Sequence, residues 1–233
     1  INVAAHELRT PLTVIKGYSQ MLKSFIDPAN IFPLEGIESG IERITEVVNN
    51  MLDMAKIDTQ SLDMKKQPTR LREIVDKIER EFRKALKERN ITLKRSGFIT
   101  LPVIQADAEM LTKVFRNLVV NAIKYTPDNG QVTLTSQVRM DQDQECVEII
   151  VADTGIGIAK DDQEGIFEKF YFTQDLEKHS SGRTEFKAGG PGLGLSIARG
   201  IVLAHNGHIW VESDGYDEVS YPGSQFHILL PVA

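Results

Sequence analysis

The 233-residue sequence has few of the features that mark secreted, membrane-spanning or nucleic-acid-binding proteins. It contains one cysteine, Cys146, which excludes an internal disulfide framework and fits a reducing compartment. No apolar run approaches the roughly 18 residues that a membrane-spanning helix needs, and no signal peptide opens the chain. The net charge of −6 argues against a general nucleic-acid binder, which would carry an excess of basic residues.

The remaining composition, 41% hydrophobic and 26% charged, is typical of a globular protein with one large domain or two modest ones. The chain begins at Ile1, inside a helical pattern and without an initiator methionine. We therefore expect it to be a fragment, and the upstream part could hold a sensor or a membrane segment.

The first 60 residues have the periodicity of two amphipathic helices. Apolar positions recur in steps of three and four, about 3.5 residues on average, which predicts a bundle seam. The seam series are Ala5, Leu8, Leu12, Ile15, Ser19, Leu22 and Ile26, then Ile37, Ile41, Ile44, Val48, Met51 and Ala55. The stretch DPANIFP (27–33) predicts the turn of a helical hairpin. Because one hairpin encloses little core, we predict a dimeric four-helix bundle.

The first of these helices carries a histidine and a proline in the stretch AAHELRTPL (4–12). Pro11 lacks an amide donor and crowds the carbonyl of Glu7, so we expect a kink just past His6. His6 flanks the seam position Ala5 and should face water. The helical pattern alone favours an ordinary surface histidine.

A polar stretch, DTQSLDMKKQPT (58–69), separates the hairpin from a region of irregularly alternating helices and strands. We predict an N-terminal domain at 1–60, a linker at 61–69 and a second domain at 70–233. Its elements are a helix at 70–89, a strand near 99–104, a helix with Asp107 as N-cap, strands at 131–138 and 146–153, a helix at 194–205, and strands at 207–214 and 224–232. This order predicts an α+β protein whose second domain is an α/β sandwich, a mixed sheet with helices on one face.

The helix that follows Asp107 contains RNLVVNAIKYTP (116–127). Asn117, Asn121 and Lys124 are spaced four and three residues apart, so they project from one face. Amide oxygens suit Mg²⁺, and an ammonium group suits a phosphate. The alternative is simply the polar outer face of a surface helix.

Two glycine-rich stretches follow. In DTGIGI (153–158), Asp153 ends a strand and could accept the amino group of adenine, although a simple turn would look the same. A dinucleotide fingerprint would need a third glycine and an immediate helix. In AGGPGLGLSIARG (188–200), the glycines precede a helix whose N-terminal amides could bind phosphate, but a flexible linker is the alternative. The roughly 30 polar residues between the two stretches are either disordered or a lid, and we favour a lid.

Together these motifs resemble those of the sensor histidine kinases of two-component systems. AHELRTPL is similar to their H box, NLVVNAIKYTP to their N box, DTGIGI and GGPGLGL to their two glycine boxes, and IFEKF to their F box. The five motifs occur in the family's order and extend over nearly the whole chain. The resemblance implies a dimerisation and phosphoacceptor hairpin followed by a Bergerat-type (GHKL) ATP-binding domain, with ATP and Mg²⁺ as cofactors.

The resemblance also implies residue roles in the hairpin. His6 matches the phospho-accepting histidine, Glu7 the acidic neighbour that helps to deprotonate it, and Thr10 the residue that positions water when the family dephosphorylates its partner.

In the second domain, Asn121 matches the Mg²⁺ ligand, Lys124 a phosphate contact and Asp153 the carboxylate that binds adenine. The other residues implied to line or shape the nucleotide site are Asn117, Tyr125, Gly155, Gly157, Ile158, Gly192, Leu193, Gly194 and Leu195. The sequence departs from the family at Pro191, where a threonine is common, and in its long stretch containing HSSGRTEFK.

The activity implied is ATP-dependent phosphorylation of His6 and transfer of the phosphoryl group to an aspartate of a response-regulator receiver domain, with receiver phosphatase activity as a further option. A homodimer formed through the hairpin, no nucleic-acid partner and a bacterial cytoplasmic location are also implied, with any membrane attachment upstream. Two alternatives stay open: a GHKL-fold ATPase that acts as a conformational clamp, and a degenerate kinase that serves as a scaffold. The H-box hairpin argues against the first, and the intact Asn121, Asp153 and glycine boxes argue against the second.

Overall fold

A computed structural model describes the backbone of residues 2–23, 25–27, 32–171, 184–187 and 192–232, with side chains at all of these except 2–10 and 32. The chain divides into two compact units, Ile1–Leu62 and Asp63–Ala233. None of the helices within the described ranges is both long and apolar enough to cross a membrane.

The first unit is a helical hairpin made of α1 (Asn2–Lys23) and α2 (Phe32–Asp58), as the 3.5-residue periodicity predicts. Helix α1 continues through Pro11. Residues 28–31 of the predicted turn lie outside the described part of the chain. Ion pairs from Lys16 to Glu42 and from Lys23 to Glu38, each 3.0 Å long, join the two helices along their length.

The seam of α2 is divided into two sets of residues, each with a spacing of seven. Ile41 and Val48 are buried within the protomer, whereas Ile37, Ile44 and Met51 are 47–51% exposed. In α1, Ser19 is likewise buried while the neighbouring seam residues are half exposed. A single hairpin therefore covers only alternate layers of the predicted seam.

The second unit is built on a five-stranded mixed sheet with the order β2-β4-β5-β7-β6. Strands β2 and β4 are parallel, and the other neighbours are antiparallel. The elements in chain order are β1 (Gln67–Thr69), α3 (Leu71–Glu88), β2 (Thr92–Ser96), β3 (Ile104–Ala106), α4 (Ala108–Tyr125), β4 (Gln131–Asp141), β5 (Gln144–Asp153), α5 (Gly194–Ala204), β6 (His208–Glu212) and β7 (Ser224–Pro231). The predicted α/β sandwich is confirmed.

The core lies between one face of the sheet and the helices, chiefly α4 and α5. Strand β5 places Val147, Ile149 and Val151 on that face, where they are completely buried. The intervening residue Glu148 points to the opposite face, where His227 of β7 contacts it and the ring of Trp210 stacks on His227 at 4.7 Å. This alternation follows from the two-residue period of a strand.

One predicted strand is wrong. The segment near 99–104 is mostly non-regular, and the strands are β2, at 92–96, and β3, at 104–106. Gly97 ends β2 with a φ of +89°, and any side chain there would overlap the carbonyl oxygen of Ser136. Strand β2 is polar and mostly exposed at the sheet edge, so it lacks the alternation that identifies a strand.

Part of the predicted linker belongs to the second unit. Strand β1, at 67–69, pairs antiparallel with β3. The backbone N–H of Lys65 donates to Asp107 Oδ2 at 3.0 Å. Asp107 is the N-cap of α4, as predicted, and its Oδ1 accepts from the N–H groups of Glu109 and Met110.

The buried imidazole of His205, just after α5, also fixes the start of α4. Its Nε2 accepts from the backbone N–H of Asp107 at 3.0 Å, so Nδ1 carries the proton and donates to the carbonyl oxygen of Ile201 at 2.8 Å. Burial lowers the pKa of His205, which keeps this ring neutral. The N-terminus of α4 is therefore joined both to α5 and to the chain that precedes β1.

Candidate functional site

The site predicted from the sequence lies where the C-terminal half of α4 meets the loop that follows β5. Asn117, Asn121, Lys124 and Tyr125 are partly exposed on one side of α4, and the other side is buried in the core. The backbone N–H of Ile156 donates to the carbonyl oxygen of Tyr125 at 3.1 Å. The loop is thereby fastened directly to the last turn of the helix.

Asp153 ends β5 and is only 9% exposed. Its Oδ1 accepts from the N–H of Gly155 at 2.8 Å, and the backbone and hydroxyl of Ser224 also donate to it. Burial raises the pKa of Asp153 to about 7, although these hydrogen bonds act in the opposite direction. A buried carboxyl group whose pKa is raised to near neutrality is typical of a functional position.

Two glycines of DTGIGI are required by close backbone contacts. A side chain at Gly155 would overlap the carbonyl oxygen of Tyr125 and crowd the Asp153 carboxylate. Gly157 has a φ of +72°, and a side chain there would overlap the carbonyl oxygen of Gly215. Replacing either residue would push the loop away from α4 or from the loop behind it.

The loop at 213–223, between β6 and β7, forms the support behind DTGIGI and was not identified from the sequence. Ser213 Oγ accepts from the N–H of Ile158 at 3.0 Å and donates to the carbonyl oxygen of Gly223 at 2.7 Å. The N–H of Gly223 donates to Gly155 O at 2.9 Å. Nothing in the sequence of this loop indicates that Ser213 has a partner 55 residues away.

The second glycine box is connected to α4 and to the F box. Asn117 Nδ2 donates to Gly194 O at 2.9 Å, where α5 begins, and Phe170 N donates to Gly192 O at 3.0 Å. Gly192 has a φ of +65°. Leu193 is buried and Leu195 partly buried. Asn117 thus joins α4 to the start of α5.

Residues 172–183 of the predicted lid lie outside the described part of the chain, as do residues 188–191 of the second glycine stretch. The short segment at 184–187 is described. There the N–H of Lys187 donates to the carbonyl oxygen of Lys124 at 2.8 Å.

His6, Glu7 and Thr10 lie in the first turns of α1, where the backbone is helical but the side chains are outside the described part. Their predicted roles stay predictions.

The residues present suit Mg²⁺ only in combination with a nucleotide. The described residues include no cluster of three or more histidine, cysteine, aspartate or glutamate side chains that could hold a metal by itself. Asn121 offers one hard amide oxygen from α4. Mg²⁺ commonly takes one or two protein ligands together with substrate phosphates, and this donor set fits that pattern.

Comparison with known proteins identifies both units. Residues 1–60 match the family model of the His Kinase A (phospho-acceptor) domain, and residues 106–233 match that of the Histidine kinase-, DNA gyrase B-, and HSP90-like ATPase. Sensor histidine kinase WalK of Bacillus subtilis is 33% identical over 212 residues, 90% of this chain and 33% of WalK. Adaptive-response sensory kinase SasA of Rippkaea orientalis is 36% identical over 190 residues, 81% of this chain and 44% of SasA.

Among solved structures, full-length ShkA in complex with AMPPNP superposes with a TM-score of 0.81 at 25% identity, over 100% of this chain and 45% of ShkA. The chain thus spans less than half the length of these relatives. The two family models occur in the order of a phosphoacceptor domain and its ATPase domain, and the five motifs occur within them. The chain therefore belongs to the sensor histidine kinases of two-component systems.

Proposed function

We propose that this chain transfers the γ-phosphoryl group of ATP to His6 and then to an aspartate of a response-regulator receiver domain. The observation that carries the proposal is the junction of Tyr125 and Ile156, which sets the buried carboxyl of Asp153 beside the polar side of α4. One end of this site suits an adenine, and the other suits phosphates and a metal ion. The family match of residues 1–60 supplies the phosphoacceptor helix.

The proposed reaction needs a neutral imidazole at His6, whose unperturbed pKa is near 6.5. One ring nitrogen attacks the γ-phosphorus, the bond between that phosphorus and the bridging oxygen breaks, and ADP leaves. The other ring nitrogen gives up its proton, and Glu7 is the neighbour that would orient the ring or accept that proton. Thr10, one helical turn after His6, would orient water if the protein also dephosphorylates its receiver.

The chain's own contribution to phosphoryl transfer is positioning and charge neutralisation. Lys124 would contact the phosphates, and the backbone N–H groups at the start of α5, from Gly194 onward, would donate to them. Asn121 would ligate Mg²⁺, which supplies positive charge on the phosphate oxygens when bound. Asp153 would accept the amino group of adenine.

A homodimer is part of the proposal. Ile37, Ile44 and Met51 repeat every seven residues along α2 and are about half exposed in one protomer. A second hairpin would cover this row and complete a four-helix bundle. The relatives are bacterial kinases, so we infer a bacterial cytoplasmic location, with any membrane anchor in an upstream segment. The conformational-clamp alternative is not favoured, because it gives the H-box hairpin no role.

The proposal is tested by incubating the protein with γ-labelled ATP and Mg²⁺. We expect an acid-labile, base-stable label on the wild type and on His208→Gln, a control that alters an exposed histidine of β6. His6→Gln should carry no label while it binds ATP as tightly as the wild type, because the two functions lie on different units. Label retained by His6→Gln would refute the assignment of His6.

A further inference from the structure

Arg89, immediately after α3, binds the C-terminal turn of α4. Its Nη1 donates to the carbonyl oxygen of Ile123 at 2.6 Å, and its Nη2 donates to that of Thr126 at 2.8 Å. Its Nε donates to Asp128 Oδ1 at 2.8 Å. The side chain is only 11% exposed, so this is a fixed contact and not a mobile surface arginine.

The last carbonyl groups of a helix have no partners within the helix, and they carry partial negative charge. A guanidinium group can satisfy two of them at once because its donors form a rigid planar fork. The two carbonyls that Arg89 binds belong to the residues on either side of Lys124 and Tyr125. Arg89 therefore fixes the backbone that carries two side chains of the proposed nucleotide site.

The same guanidinium also holds the segment at 184–187. Nη1 donates to the carbonyl oxygen of Thr184 at 3.0 Å, and the ring of Phe186 lies 5.8 Å from the guanidinium carbon. Lys187 donates its N–H to Lys124 O at 2.8 Å, and its ammonium pairs with Glu218 of the loop behind DTGIGI. The segment thus lies against the end of α4 and is bound at both of its ends.

We propose that Arg89 is a positioning residue for phosphate binding, which holds the last turn of α4 and the segment at 184–187 in one arrangement and so presents Lys124 to the nucleotide phosphates. Arg89 acts through Lys124 and does not itself contact the nucleotide. This inference rests on the proposed function, because it requires Lys124 to be a phosphate contact.

The adenine end of the site shares one contact with this turn, the hydrogen bond from Ile156 N to Tyr125 O, but it also has supports of its own. Asp153 accepts hydrogen bonds from Gly155 and Ser224, and Ser213 holds the loop behind it. Loss of Arg89 should therefore weaken binding of the phosphates more than binding of the adenosine part. A purely structural role would weaken both together.

The experiment is calorimetric titration of the full chain with Mg·ATP and, separately, with adenosine. We expect Arg89→Ala to raise the Kd for ATP by roughly tenfold or more. The Kd for adenosine should change less than twofold. Arg89→Lys keeps the positive charge and the aliphatic chain but lacks the planar guanidinium group, so it should lose an intermediate part of the ATP affinity. This variant replaces Arg89→Ala in the titration if the alanine variant does not fold.

Arg116→Ala is the matched control. Arg116 joins α4 to Glu81 of α3 through two hydrogen bonds of 2.7 and 2.8 Å, so its loss removes a similar contact between the same helices. We expect its ATP affinity to stay near that of the wild type. In a Lys124→Ala background, Arg89→Ala should cause no further loss of ATP affinity, because both changes remove the same interaction.

Equal weakening of ATP and adenosine in Arg89→Ala, or unchanged ATP affinity, would overturn the inference. So would full additivity with Lys124→Ala. Failure of the proposed function is distinguishable, since the wild type would then not bind ATP, or Lys124→Ala would not weaken ATP relative to adenosine.

Discussion

Asp153 should make ATP binding depend on pH in a range where ordinary carboxyl groups do not titrate. Burial raises its pKa to about 7, so the free protein holds a mixture of protonated and ionised Asp153 near neutrality. The amino group of adenine is a donor and needs an acceptor, and the ionised carboxylate is the stronger one. ATP should therefore bind preferentially to the ionised form and draw the proton away.

The size of the effect follows from the titration. With a pKa of about 7, the ionised fraction falls from about nine-tenths at pH 8 to about one-tenth at pH 6. The affinity for ATP should fall by about tenfold over the same range, or about 1.4 kcal/mol. Asp153→Asn should bind ATP roughly tenfold to hundredfold more weakly than the wild type at pH 8, since a charge-assisted hydrogen bond is lost.

The assay is titration of Mg·ATP against both proteins at pH 6, 7 and 8. The phosphates of ATP also titrate, with a pKa of about 6 for a phosphate monoester, but this contribution is common to both proteins and cancels in the ratio of their affinities. The ratio of wild-type to variant affinity should fall as the pH is lowered. A ratio that stays constant from pH 8 to pH 6, or GTP competing as well as ATP, would refute the role assigned to Asp153.

The same pKa predicts that the stability of the free protein changes with pH in the opposite direction to its affinity for ATP. Because the pKa in the folded protein lies above the unfolded value of 3.8, Asp153 favours folding when it is protonated. This contribution is fully present below about pH 4 and is lost as the pH rises through about 7. Ionised Asp153 should then cost the free protein up to about 4 kcal/mol of unfolding free energy. Between pH 5 and pH 8, the wild type should therefore lose more stability than Asp153→Asn in urea unfolding.

Two further predictions concern the metal and the dimer. Asn121→Ala should remove the part of the ATP affinity that depends on Mg²⁺ while leaving the affinity measured in EDTA unchanged; an unchanged affinity for Mg·ATP would contradict the metal role. Ile44→Glu should weaken dimerisation by roughly a hundredfold or more in sedimentation equilibrium, because burying an isoleucine is worth about 1.5–3 kcal/mol and the symmetric dimer contains two copies. Val138→Glu, at a comparably exposed position of the second unit, is the control and should dimerise as the wild type does. A dimer unaffected by Ile44→Glu would exclude the row of Ile37, Ile44 and Met51 as the interface.

The parts of the fold predicted correctly are those whose signal is local. The buried face of α4, the apolar run of β5 and the capping carboxylate of Asp107 all depend on residues within one or two turns of each other. The site residues on α4 and in DTGIGI were assigned from their match to the family's motifs, and their roles in nucleotide binding stay predictions. The structure adds a reason for Gly155 and Gly157, because the backbone of another segment approaches each of them.

The parts that were missed depend on partners far away in the sequence. Strand β2 is defined by its parallel pairing with β4, about 40 residues later, and not by its own polar sequence. Ser213 and Arg89 matter because of backbone groups 55 and 34 residues away, respectively. A serine in a turn and an arginine after a helix are ordinary in themselves, so their roles become visible only once the fold brings those partners to them.

The position of Trp210 gives this protein a built-in spectroscopic probe. It is the only tryptophan in the chain, it stacks on His227 at 4.7 Å, and it belongs to the sheet of the second unit. Its fluorescence therefore follows the loss of the second unit alone, whereas the far-ultraviolet circular dichroism signal contains the helices of both units. Coincident midpoints from the two signals in urea would mean that the hairpin and the ATPase domain unfold as one cooperative system, and separate midpoints would measure how independent they are.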